Sequence, residues 1–161
     1  FLVSPTGAWR EVVEPCSKTF EDTYIRRTHL RLRVLSDSST GQEFIKLTKK
    51  LESASPYVQM TGSIPLSPLE YDFLSGMQGD RIRKVRHYHI HRGYVFSIDE
   101  FQDELAGLVM CEVEAAGVEE LMQIEMPDYA IAEVTEDAFF TGGNLCRTSR
   151  AELTRRLDGI Q

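Results

Sequence analysis

The chain has 161 residues, a formal net charge of -7, 42% hydrophobic and 27% charged residues, which suits one domain with its own core. No apolar run approaches the ~20 residues that span a bilayer as a helix, and no signal-peptide pattern is present. The acidic total argues against non-specific nucleic-acid binding, which rests on a basic surface that neutralises phosphates. Cys16, Cys111 and Cys146 lie far apart, without metal-ligand spacing or a disulfide framework, which favours a reducing, cytoplasmic compartment.

In chain order, Pro5 to Val13 reads as a short helix, stopped by Pro15. Phe20 to Ile25 is a strand leading into Leu30-Arg31-Leu32-Arg33-Val34, which alternates apolar and basic with a period of two. Ser36 to Gly41 is a hairpin loop by composition, and Glu43 to Leu51 is the returning strand. Tyr57 to Ile64 is a further strand, weakened by Gly62. Ser67-Pro68-Leu69-Glu70 is a capping box with Pro at the first helical position, so Pro68 to Ser75 is expected to be a helix ending at Gly76. Arg81 to Tyr88 and Tyr94 to Phe101 form a hairpin turned near Arg92-Gly93. Leu108 to Ala115 and Ala130 to Thr135 are strands. Gly117 to Met126 and Thr148 to Leu157 are helices. The sum is an α+β fold of about eight antiparallel strands, a sheet large enough to curl or close.

Charge is distributed unevenly along this pattern. Between Arg26 and Lys50 there are seven Lys/Arg against two acids, and between Arg81 and Arg92 five Lys/Arg and no acid. From Phe96 to Asp137 there are thirteen acids and no Lys or Arg. Alternation gives each strand a charged face: Arg31 with Arg33, Lys46 with Lys50, Lys84 with Arg86, Glu112 with Glu114. Such faces either look outward and pair across the sheet or look inward at a shared polyanion and its metal.

The ordered set Leu30-Arg31-Leu32-Arg33, Leu47-Thr48-Lys49-Lys50, Lys84-Val85-Arg86, Phe96-Ser97-Ile98-Asp99-Glu100-Phe101, Glu112-Val113-Glu114 and Glu133-Val134-Thr135-Glu136-Asp137 resembles the CYTH superfamily, the triphosphate tunnel metalloenzymes. The resemblance runs from Phe1 to about Leu145. It implies an eight-stranded antiparallel β-barrel, a tunnel with flanking helices, in one domain spanning 1–161. It also implies metal-dependent hydrolysis of inorganic triphosphate or an organic triphosphate, with Mg²⁺ or Mn²⁺ as cofactor. By match to the family's motifs, Arg31, Arg33, Lys46, Lys50, Lys84 and Arg86 would bind phosphates, Asp99, Glu112 and Glu114 would bind metal, and Lys50 or Lys84 would orient or deprotonate the attacking water. Guanidinium forks suit phosphate oxygens, and Mg²⁺ bridges carboxylates to phosphates.

Two departures from the family pattern stand out. The family's Glu-x-Glu-x-Lys strand precedes a Phe-Leu-Val-like segment, and this sequence starts at Phe1-Leu2-Val3, which reads as a trimmed piece or the C-terminal part of a longer chain. The segment Ser55 to Ser63, where the family carries Arg-x-Glu-x-Glu, holds no acid; Gln59 and Thr61 stand in its place. The alternative reading is therefore a non-catalytic module that binds a nucleotide, polyphosphate or phospholipid head group. A plain structural domain with charge-paired strands ranks below both.

Other features have plainer readings. His87, His89 and His91 share a strand face of opposite parity to Lys84 and Arg86, so they are expected to face outward rather than to hold zinc. Trp9 is a packing residue. Gly142-Gly143 is a loop without a phosphate-cradle pattern. Arg147, Arg150, Arg155 and Arg156 form a basic face on the last helix, solvated or in weak contact with anionic lipid.

Overall fold

The computed structural model describes residues 1–160. Period-two alternation sets the strands: β1 (Leu2–Val3), β2 (Lys18–Ile25), β3 (Leu30–Asp37), β4 (Glu43–Lys50), β5 (Thr61–Pro65), β6 (Gly79–His91), β7 (Tyr94–Phe101), β8 (Val109–Val113) and β9 (Ala130–Ala132). Helices α1 (Trp9–Val12), α2 (Pro68–Ser75), α3 (Val118–Leu121), α4 (Gly142–Leu145) and α5 (Arg150–Asp158) lie between or after them. All strand pairs are antiparallel, in the order β5-β4-β3-β2-β6-β7-β8-β1-β9.

The expected eight-stranded closed barrel is corrected by this order. Nine strands form one sheet whose ends, β5 and β9, do not pair with each other. The closing elements are short, with two residues in β1 and three in β9, so the ladder does not run round. The sheet nevertheless curls strongly. The Tyr57 hydroxyl, just before β5, donates to Glu136, just after β9, at 3.0 Å. Glu112 on β8 lies close enough to act on the Lys50 ammonium on β4. Five strand spacings separate these strands along the sheet, about 24 Å if it were flat.

Local signals explain which elements follow the sequence reading. Helix α2 has the expected bounds, with Ser67 and Glu70 in a reciprocal capping box and Pro68 at the first position. Helix α5 is capped the same way by Ser149 and Glu152. The β6–β7 hairpin turns at Arg92 (φ 50°) and Gly93 (φ 82°), the left-handed pair that such a turn needs. Where no cap or turn fixes the ends, the expected elements shrink. The helix expected over Pro5 to Val13 is only Trp9–Val12, after a turn closed by Gly7 N–H to the Ser4 carbonyl. The one expected over Gly117 to Met126 is only Val118–Leu121, followed by i to i−3 bonds at Gln123 and Ile124. The strand expected from Tyr57 starts at Thr61, because Val58 N–H turns back to the Ser55 carbonyl. Strand β1 was not foreseen.

The core is split by the sheet. On the concave face Leu2, Ile82, Phe101 and Met110 pack against Leu145 and Leu153 from α4 and α5. On the convex face Val3, Phe96, Ile98, Val109 and Cys111 pack under Trp9 of α1. Each large side chain buried in this way contributes about 1.5–3 kcal/mol relative to exposure. Trp9 is fully buried, and its indole N–H donates to the Ser4 carbonyl at 3.1 Å. Gly142, expected in a loop, opens α4, and a Cβ there would lie 2.0 Å from the Tyr24 hydroxyl. The apolar plug therefore fills one end of the concave face and leaves the other end to charged side chains.

Candidate functional site

In an antiparallel ladder directly paired residues project to the same face. Arg33 pairs with Lys46 and with Asp22, and Arg31 with Thr48 and Tyr24. Phe20 pairs with Lys84, Lys18 with Arg86, Arg86 with Asp99, and Ser97 with Glu112. Leu2, Ile82, Phe101 and Met110 of the concave core share this parity, so the predicted cations Arg31, Arg33, Lys46, Lys50, Lys84 and Arg86 lie on the concave face. Asp99 and Glu112 lie there too, and Glu114, one residue beyond β8, continues the parity. The sequence-predicted site residues are thus brought to one face, contributed by β3, β4, β6, β7 and β8.

Their electrostatic states differ. Arg33 is buried and donates from Nε and Nη2 to the two carboxylate oxygens of Asp22, each at 2.6 Å. Asp99 is 1% exposed and accepts from Lys84 Nζ at 2.5 Å and from Arg86 Nε and Nη2 at 2.6 and 2.7 Å. Arg86 reaches Glu112 as well, at 3.0 Å. Burial alone would raise the Asp99 pKa, but the charges of Lys84 and Arg86 and their hydrogen bonds outweigh it and hold the carboxyl below its usual range. Burial alone would lower the Arg86 pKa, and the same contacts with Asp99 hold it raised.

Arg31, Lys46 and Lys50 form no salt bridge among the described residues. The Nε of Arg31 is buried without a hydrogen-bond partner. Burial, then the positive charges of Arg33 and Arg31, push Lys46 below the ordinary lysine range. Burial, then Arg31, does the same to Lys50, with Glu112 opposing. On this side the facing residues of β5 are Thr61, Ser63 and Pro65. The Ser63 hydroxyl hydrogen-bonds to that of buried Thr48 at 2.8 Å. Among the described residues these cations have no salt-bridged carboxylate, and only Glu112 and Asp22 act on the two lysines from a distance, an arrangement that favours an anion.

Two crystal structures of the protein NE1496, one of them described as the inorganic triphosphatase NE1496, align over 92% of this chain with TM-scores of 0.60 and 0.58. The chain shares its fold with NE1496. Identity is 21%, and 95% and 94% of the two NE1496 chains are covered. PH1819 from Pyrococcus horikoshii OT3 aligns over 92% of this chain and 90% of its own, with a TM-score of 0.53 and 17% identity. No family model and no curated protein matches the sequence. The likeness to NE1496 therefore concerns the path of the backbone, on which this chain's own side chains decide the chemistry.

Carboxylates suited to a hard cation are unevenly available. Asp99 would ligate a metal only by giving up Lys84 or Arg86. Glu112 is exposed and touches Arg86 through one oxygen, and Glu114 is exposed. Among the described residues no group of three or more His, Cys, Asp or Glu gathers in metal-binding geometry. Glu112 and Glu114 are the two of the three expected carboxylates that are left exposed on this face. Gln59 is turned away, its amide donating to the Leu51 and Met60 carbonyls.

The residues missed by sequence reasoning are Phe20 and Asp22 on β2. Their two-residue spacing was visible, but the register that puts them between Arg33 and Lys84 was not. The histidines lie on the convex face: the His87 ring lies 5.2 Å from that of Trp9, tilted by 56°, and His89 hydrogen-bonds with the Tyr129 hydroxyl at 3.0 Å. Of the C-terminal basic residues, Arg150 is bound to the Asp103 and Ala106 carbonyls and Arg156 to Asp137, so both tie α5 to the domain.

Proposed function

We propose that the concave face binds a triphosphate group and hydrolyses its terminal phosphoryl bond. The observation that carries this reading is the convergence of Arg31, Lys46 and Lys50, crowded and without a salt bridge among the described residues, beside the ordered cations Arg33, Lys84 and Arg86. The fold shared with NE1496, one structure of which is described as an inorganic triphosphatase, supports it. Phosphoryl transfer asks mainly for positioning and charge neutralisation, and both are supplied by these side chains. Water attacks the terminal phosphorus, the bond to the bridging oxygen breaks, and inorganic triphosphate yields pyrophosphate and orthophosphate. Lys50, with its lowered pKa, is the better placed of the two candidate lysines to accept or relay the water's proton; Lys84 is held by Asp99.

Glu112 and Glu114 would hold Mg²⁺ or Mn²⁺, which when bound neutralises phosphate charge and fixes the phosphate oxygens. The reading places the protein in the cytoplasm, supported by three unpaired cysteines; no helix among the described residues is long and apolar enough to cross a membrane.

A second reading, a polyanion-binding module without turnover, is favoured by the acid-free face of β5, where Thr61 and Ser63 line the site. The test is phosphate release from tripolyphosphate and from ATP with Mg²⁺ or Mn²⁺, run beside calorimetric binding. Release above the uncatalysed rate supports hydrolysis. Binding without release assigns the module reading, and neither binding nor release contradicts both.

A further inference from the structure

The cations of the concave face come from strands on both sides of β2, and nothing in their own sequence keeps them together. Arg33 stands on β3, Lys84 and Arg86 on β6, and β2 runs between these strands. Asp22 holds Arg33, and Asp99 holds Lys84 and Arg86, but among the described residues no salt bridge joins the two groups. Strand β2 presents Phe20 and Asp22 to the same face. Phe20 is 4% exposed, and its ring lies 4.4 Å from Arg33 Cζ, 5.1 Å from Arg86 Cζ and 5.8 Å from Lys84 Nζ. The negative face of an aromatic ring attracts cations without neutralising them. One buried ring therefore lies against three cations that are also paired with Asp22 or Asp99, and Lys84 has the Phe101 ring near it as well, at 5.5 Å.

Asp22 acts on direction. It occupies Nε and one hydrogen of Nη2 of Arg33, which leaves both hydrogens of Nη1 and the second of Nη2 free for an anion. The two side chains alternate along one strand, so ring and carboxylate are spaced by the pleat alone.

We propose that Phe20 and Asp22 are the positioning residues of the polyanion site: Phe20 is the platform that gathers Arg33, Lys84 and Arg86, and Asp22 sets the fork of Arg33. This rests on the triphosphate reading of the same face. Neither residue touches the reacting atoms; each acts through the cations.

The test is tripolyphosphate binding by calorimetry on the full chain, with thermal melting as the folding control and side-chain Nε–Hε NMR of Arg33 as a ligand-free readout. Phe20→Leu is expected to weaken binding about 10-fold, while Phe20→Tyr, which keeps the ring, stays within about 3-fold of wild type. Phe20→Leu also removes the ring-current shift of the Arg33 resonance. Asp22→Asn is expected to weaken binding about 10-fold and to speed exchange of the Arg33 Hε. A folded Phe20→Leu variant that binds as wild type does, or a Phe20→Tyr variant as weak as Phe20→Leu, overturns the platform. If Phe20→Leu does not fold, Asp22→Asn with unchanged affinity and unchanged Arg33 exchange overturns the positioning role on its own. A wild-type chain that binds no tripolyphosphate, with or without Mg²⁺, refutes the triphosphate reading and this proposal with it. Wild-type binding that these substitutions leave intact refutes only the positioning.

Discussion

The two sides of the concave face use the same residue types under opposite conditions. On the β6–β8 side Lys84 and Arg86 are bound to Asp99, and Arg86 also to Glu112. On the β3–β5 side Arg31, Lys46 and Lys50 face Thr48, Thr61 and Ser63, with no salt-bridged carboxylate among the described residues. The first side has each buried charge paired, which offsets the desolvation that its burial costs. The second holds charge that burial and mutual repulsion disfavour. A charged strand face is thus not one kind of object: whether it is structural or poised for a ligand depends on the strand beside it. Strand β2 joins the sides, since Asp22 satisfies one arginine of β3 and leaves the other free.

The largest effect expected from breaking this contrast is on the satisfied side. Asp99→Ala leaves buried Lys84 without its partner and Arg86 with Glu112 alone, and removing one member of such a group costs about 3–5 kcal/mol. Chemical denaturation is expected to show that loss. Next comes the poised side. Arg31→Ala together with Lys50→Ala is expected to lower tripolyphosphate affinity about 100-fold while leaving the unliganded melting temperature unchanged or higher, because repulsion is relieved. Gly142→Ala, which sets a methyl group against the Tyr24 hydroxyl, is expected to cost about 1–3 kcal/mol by overpacking, read in the same denaturation experiment.

The pH responses of the two sides also differ. The Asp99 pKa is depressed in the folded state, so its contribution is full above the unfolded value of about 3.9 and is lost as pH falls further through the folded value. Acid denaturation should therefore be blunted in Asp99→Asn relative to wild type, although that variant starts less stable. Lys46 and Lys50 have lowered pKa values; their charged forms cost stability at neutral pH, and that cost disappears as pH rises toward the unfolded value of about 10.4. Anion binding favours the charged forms, so tripolyphosphate affinity should fall and proton uptake on binding should grow as pH rises through the lowered values. Calorimetry in buffers of different ionisation enthalpy reads that uptake. The smallest effect is expected from Arg10→Ala, which removes an exposed pair with Glu100 on the convex face and should change stability by no more than about 1 kcal/mol.

How much of this was legible in the sequence depends on the range of the signal. The capping box at Ser67 and the turn at Arg92-Gly93 act within a few residues, and both elements stand where expected. The parity of Arg31, Arg33, Lys46, Lys50, Lys84 and Arg86 is equally local, and it put them on one face. Long-range register was not legible. It sets β2 between β3 and β6, seats Phe20 beside three cations and aligns Asp22 with Arg33. Closure was not legible either: the expected barrel is a curled sheet ending at β5 and β9, because strand number depends on short elements such as β1 and the edge strand β9. The sequence also did not separate paired from unpaired cations, since Asp99 was read as a metal ligand and stands between Lys84 and Arg86.

The most direct measurement is a calorimetric titration of the wild-type chain and of Arg31→Ala/Lys50→Ala with tripolyphosphate, in chelator and again with Mg²⁺. The account predicts saturable binding to the wild type in at least one of these conditions and about a 100-fold loss in the double variant. Equal binding by the two proteins, or no binding to the wild type in either condition, would contradict it.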